Sequence, residues 1–184
     1  MATPNDFWVR ALKPITEVRD DEVPTAALLT LNAFLLLGAY YLIKPVREAL
    51  ILALASGAEY KSYMGGAIAL ALLVTVPLYA RAVDRLPRGK LVSVVSIVFA
   101  VQLVAFFAAG LEPILRSRLG LIFFVWVGVF NMMVVAQFWA FANDVYSEEQ
   151  GKRLFPLVAL GASLGAVAGS RVAGLAIPRL GVFP

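Results

Sequence analysis

Residues 119–143 read LGLIFFVWVGVFNMMVVAQFWAFAN, a run from Leu119 to Asn143 without one charged side chain. A helix crossing the hydrocarbon core of a bilayer needs about 20 mostly apolar residues, and this run is long enough. A helix in a water-soluble bundle keeps one wet face and takes a polar residue every turn or so. That interruption is missing here, and it is missing again in Val23 to Ile43, Ser62 to Ala80, Leu91 to Leu111 and Leu154 to Ser170. Of the 184 residues 61% are hydrophobic and 15% charged, against about a quarter charged in soluble domains, so lipid is the expected solvent. The expected fold class is all-α integral membrane. A tail over 1–22 should precede helices at about 23–54, 60–82, 89–110, 119–143 and 154–177.

The first run stands behind Asp20, Asp21 and Glu22 and so lacks the short basic start of a cleaved secretory signal; it is expected to stay in the membrane. Basic residues alternate between segments. The tail has Arg10, Lys13 and Arg19, the second loop Arg81, Arg85, Arg88 and Lys90, and the fourth Lys152 and Arg153, whereas the intervening loops hold Lys61, then Arg116 and Arg118. The positive-inside bias places the N-terminus in the cytoplasm of a multi-pass protein, with a bacterial inner membrane as the expected location. It also accounts for the net charge of +4 without nucleic acid as a partner. In the tail, Phe7, Trp8, Leu12 and Ile15 can share a face bordered by Arg10 and Lys13, suiting a helix on the membrane surface; a solvated tail is the alternative. With no cysteine and no histidine there is no thiolate metal site and no near-neutral proton switch. No nucleophile–base pair, metal-ligand cluster or phosphate-binding glycine loop stands out, so neither an enzyme nor a cofactor is expected.

Polar residues inside the runs are more informative. Lys44-Pro45-Val46-Arg47-Glu48 follows Ile43 directly and leads into the apolar Ala49 to Ala55. At about 100° per residue, Thr30, Ala33, Leu37, Tyr40, Tyr41, Lys44, Arg47, Glu48 and Ile51 fall broadly on one side. A charge at mid-membrane costs roughly 2.5 to 3.5 kcal/mol and normally faces a water-filled cavity or a partner; the alternative is that Lys44 and Arg47 snorkel to the outer surface. In the fourth run Asn131 and Gln137 are the mid-membrane polar candidates, and in the third Gln102 is expected to join helices. Gly161, Gly165 and Gly169 recur every four residues, with Ala162, Ala166, Ser170 and Gly174 one step on, a spacing that lets helix backbones approach closely. Gly65 and Gly66 are likewise expected to be packing residues. Ser147-Glu148-Glu149-Gln150 has capping-box spacing and should open a short cytoplasmic helix. Pro24 suits a first helical turn, and Pro77 a bend.

The segment Tyr79 to Lys90, YARAVDRLPRGK, resembles the cytoplasmic signature of the major facilitator superfamily, approximately G-x-L-A-D-R-x-G-R-K. Asp84, Arg85, Arg88 and Lys90 align with it, and Ala80 and Pro87 stand at the glycines. Three further segments, YYLIKPVREAL (40–50), FWAFAND (138–144) and GKRLFPL (151–157) continuing to Gly161-Ala162, are similar to the ATP:ADP antiporter family of plastids and intracellular bacteria, a branch of that superfamily. The similarity runs from about residue 26 to 170. It implies antiport of ATP for ADP, or of related phosphorylated anions, through a nucleotide-binding cavity. Lys44 matches the family's helix-1 lysine, Arg47 and Glu48 lie at its following charged position, and K-P-V-R-E stands where exchangers carry R-x-L-K-D. Tyr40, Tyr41 and Asn131 are candidate substrate contacts, and Asp84, Arg85, Arg88 and Lys90 a conformational gate. Such transporters have about twelve helices, so the chain is expected to be the N-terminal portion of one, needing the remaining helices or a partner chain. Two alternatives remain: a proton-coupled transporter of another metabolite, with Glu48 as proton carrier held by Arg47, and a non-transporting membrane scaffold binding partner helices or anionic lipid.

Overall fold

The computed structural model describes residues 16–181, the side chains of 88 and 113–118 excepted. The surface-helix expectation for Phe7, Trp8, Leu12 and Ile15 lies outside the described residues. The described chain is all-helical: α1 is Val23–Leu52, α2 Gly57–Arg85, α3 Arg88–Gly110, α4 Pro113–Val145 and α5 Glu148–Leu180. All five are long and apolar enough to cross a membrane.

The helices run past the charge-free stretches into the flanking charges and leave short connections. The loop expected between the second and third spans shrinks to Leu86 and Pro87. Leu86 is extended at φ −116° and ψ 137°, the conformation a following proline favours. Between α1 and α2 the chain turns so tightly that a Cβ on Gly57 would collide with the Ile51 carbonyl oxygen. At the end of α5, Gly181 has φ 77° and its N–H donates to the Ile177 carbonyl at 2.9 Å, the left-handed termination that glycine permits.

The separate short helix expected after Ser147 is not formed. Its capping box is: the Ser147 N–H donates to Gln150 Oε1 at 3.0 Å and the Gln150 N–H to Ser147 Oγ at 3.3 Å. The box opens the spanning helix α5 itself. Nothing between Gly151 and Arg153 breaks the helix, and Lys152 pairs with Glu148 one turn back at 2.7 Å.

The chain divides into two compact units, one holding the described residues up to Leu42 with Phe138–Val172, the other Ile43–Gln137 with the residues from Ala173 on. In the first unit α1 and α5 lie side by side in parallel. A Cβ at Gly161 would stand 2.6 Å from the Thr30 carbonyl oxygen, one at Gly165 2.8 Å from the Phe34 carbonyl carbon, and one at Gly169 3.0 Å from the Gly38 carbonyl carbon. The backbones therefore touch where the four-residue glycine spacing predicts. Of the second stripe, Ala162 packs against the core of this unit, whereas a Cβ at Gly174, in the other unit, meets nothing within 4 Å. Val23, Ala26, Leu29 and Ala33 of α1, Phe138 and Ala142 of α4, and Leu154, Leu157 and Val158 of α5 make the core.

In the second unit an aromatic block joins α3 to α4. Trp126 stacks on Phe123 and Phe130, with both centroid separations 5.6 Å, and Phe99 and Phe106 meet it from α3 at 5.9 and 5.2 Å. Trp126 Nε1 donates to Gln102 Oε1 at 2.9 Å, so Gln102 joins helices as expected. The outer faces of α2 and α3 are apolar and open, with Leu73 71% and Val104 66% exposed, as suits helices solvated by lipid. Gly65 and Gly66 correct the sequence reading: a Cβ at either meets nothing within 4 Å. They are not packing residues among the described residues, because α2 turns that side away from its neighbours.

Candidate functional site

The charged segment of α1 lies in the second unit. It follows Ile43 without a break in the helix, because the N–H that Pro45 lacks is tolerated where neighbouring groups can satisfy the freed carbonyl. Arg47 Nη2 donates to Glu48 Oε1 at 2.7 Å. Lys61, on the second turn of α2, reaches the other oxygen, Glu48 Oε2, at 2.6 Å. One carboxylate is thus held between two cations from two helices. The Arg47 guanidinium also sits over the Phe124 ring of α4, 4.3 Å from its centroid, a cation–π contact that gains strength where water is excluded. Arg47 Nε is buried without a hydrogen-bond partner among the described residues. The close passage of α1 against α4 is fixed by Gly120, where a Cβ would stand 3.0 Å from the Leu50 carbonyl oxygen.

Lys61 is the member that sequence reading missed. It stands at the edge of the helix expected over 60–82 and enters the sequence reading only as a basic residue of a connection, whereas α2 begins four residues before it at Gly57. The usable signal was the strong helical pattern on both sides of the α1–α2 turn, which puts the ends of the two helices beside each other.

Lys44 on α1 and Asn131 on α4 are both half-buried and belong to the same unit as the triad. Tyr40 and Tyr41 belong to the first unit. Tyr40 is buried, Tyr41 half-buried, and their rings meet edge to face at 5.2 Å. Of the gate candidates, Asp84 and Arg85 are exposed in the last turn of α2 and Lys90 is exposed at the start of α3, of which Arg88 is the first residue.

A second polar cluster, in the first unit, was also missed. Glu22, read as one of three acids ahead of the first span, is 4% exposed. Arg153 donates to both its oxygens, Nη2 to Oε1 at 2.8 Å and Nη1 to Oε2 at 3.1 Å. Gln150 Nε2 adds a donation to Oε1 at 3.2 Å, and the Arg19 N–H one to Oε2 at 3.1 Å. Arg153 Nη1 also donates to the Glu17 carbonyl at 2.6 Å, and Thr16 Oγ1 donates to the Arg153 carbonyl. Arg153 therefore ties the segment before α1 onto the first turns of α5. Hydrogen bonds from Arg153, outweighing burial, hold the Glu22 carboxyl down at about 2, and burial pushes the nearby Tyr146 hydroxyl up.

No family model, curated protein or solved structure matches this chain.

Proposed function

We propose that the chain is the N-terminal portion of a secondary transporter of the major facilitator type that exchanges nucleotides, or related phosphorylated anions, across the membrane. The observation that carries this reading is the triad of Arg47, Glu48 and Lys61 at the junction of two apolar helices. Ionised groups inside a spanning segment are costly and mark substrate or ion pathways. Guanidinium and ammonium groups are the usual partners of phosphate oxygens, the first by paired hydrogen bonds and the second as a point charge. Lys44, one turn before Glu48 on α1, adds a third cation to the same segment. Asn131 is proposed to contact the rest of the substrate, and the charged α2–α3 junction of Asp84, Arg85, Arg88 and Lys90 to gate access from the cytoplasm. The basic bias of alternate connections supports a cytoplasmic N-terminus. No chemistry on the substrate is implied, and the remaining helices would come from further sequence or a partner chain.

Reconstituted together with the remaining helices into vesicles loaded with ADP, the protein is expected to take up labelled ATP. Arg47→Ala and Lys44→Ala should each lower the initial rate roughly tenfold, the loss of about 1.4 kcal/mol of interaction. Uptake that ignores internal ADP would contradict exchange. If that uptake instead follows an imposed pH gradient, a second reading gains, in which Glu48 carries the proton. The observation favouring it is that Glu48 is held by Arg47 and Lys61 yet stays partly open, its side chain 24% exposed.

A further inference from the structure

Resting on that reading, we infer that Glu48 occupies the place of the substrate's phosphate, and that Arg47 and Lys61 form the clamp from which an incoming phosphorylated anion displaces it. Nothing in the sequence motifs assigns Lys61 to the site. The geometry does so, because each carboxylate oxygen faces a different cation, at 2.7 and 2.6 Å. A phosphate group offers the same feature, two anionic oxygens on one centre.

The two cations differ in how firmly they are placed. Arg47 is 12% exposed at its side chain and has a second brace besides Glu48 in the Phe124 ring. Neighbouring residues on a helix point about 100° apart and do not normally face each other. The Arg47–Glu48 bond is therefore not imposed by the helix, and Glu48 can leave while the guanidinium stays. Lys61 is 47% exposed and moves on a flexible stem, so it can follow an arriving ligand. Arg47 Nε, buried without a partner among the described residues, is a further donor on the same guanidinium.

Charge sets the direction of the exchange. The triad carries two positive groups against one negative group. A terminal phosphate carries about −1.5 to −2 at neutral pH and balances the two cations better than one carboxylate does. A monoanion gains little by displacing Glu48. The resident carboxylate thus keeps the empty clamp partly neutralised at the junction of two apolar helices and makes the site choose phosphates over carboxylates.

The test is calorimetric titration of the full chain in detergent micelles with inorganic pyrophosphate at neutral pH. Glu48→Gln should bind about fivefold tighter than the wild type, Glu48→Asp should fall between them because the shorter side chain reaches one cation less well, and Lys61→Gln should bind about tenfold weaker. Wild-type binding that neither glutamate variant tightens would overturn the inference and leave the anion-transport reading standing. Tightening by Glu48→Gln in a protein that exchanges no nucleotide would uphold the clamp and remove the transport reading. Failure of wild type and Glu48→Gln alike to bind pyrophosphate would overturn both.

Discussion

Gly165→Ala is expected to lower the stability of the protein in detergent by about 3 kcal/mol or more, the upper end of what forcing extra volume into a packed interior costs. One methyl group does this because its neighbour is backbone. The added Cβ would lie against the Phe34 carbonyl, 2.8 Å from its carbon, and a carbonyl cannot turn aside as a side chain can. Relief comes only if α5 withdraws from α1, which also opens the contacts at Gly161 and Gly169. Gly65→Ala and Gly66→Ala supply the contrast. Each adds the same methyl group to a membrane helix where it meets nothing within 4 Å. Alanine is favoured over glycine in helix interiors by roughly 0.5 to 1 kcal/mol, so these two should hold or raise the midpoint. Thermal unfolding of the three variants under one detergent condition checks the difference, and equal midpoints would contradict the backbone contact.

Removing Arg153 should be nearly as damaging. In Arg153→Met the Glu22 carboxylate stays buried without its main partner, and breaking a buried pair from one side costs about 3 to 5 kcal/mol. Glu22→Gln, which keeps a hydrogen-bonding side chain, should cost less, and the double variant less than the sum of the two. The pair also makes stability depend on pH. Arg153's hydrogen bonds hold the Glu22 carboxyl at about 2, against 4.5 for a free side chain. A depressed carboxyl stabilises the folded state fully above its unfolded value, and the contribution is lost as pH falls toward the folded one. The wild type should therefore lose stability between about pH 4.5 and pH 2 beyond any loss in Glu22→Gln. Parallel melting curves for both proteins across that range would contradict the assignment.

These two effects also show what the sequence could and could not convey. The spans were legible because lipid imposes one rule on every residue of a run, and a single charge breaks it visibly. The α1–α5 contact was half legible: four-residue glycine spacing announced a close approach but not its partner. Gly65 and Gly66 carry the same small-residue signal and pack against nothing described. Glu22 was illegible for a related reason. Asp20, Asp21 and Glu22 look alike in sequence, and only Glu22 is aligned with an arginine 131 residues away. Thr30 and Gly161, Phe34 and Gly165, and Gly38 and Gly169 share that separation, so the ion pair continues the register of the glycine contact beyond the membrane run. Arg47 and Glu48 were found because charges inside an apolar helix stand out. Lys61 was lost because it sits at a helix end, where charges are ordinary.

The most direct test of an anion clamp at Arg47 and Lys61 exploits a sequence without cysteine. Glu48 stands between the two cations with its side chain 24% exposed, so a cysteine in its place reports on the clamp while leaving Arg47 and Lys61 intact. In vesicles, Glu48→Cys should react with a water-soluble maleimide, and ATP should slow that reaction severalfold while leaving Gly89→Cys, at the start of α3, unaffected. A modification rate at Glu48→Cys that ATP does not change, in vesicles that hold the folded protein, would contradict a phosphate site at this junction.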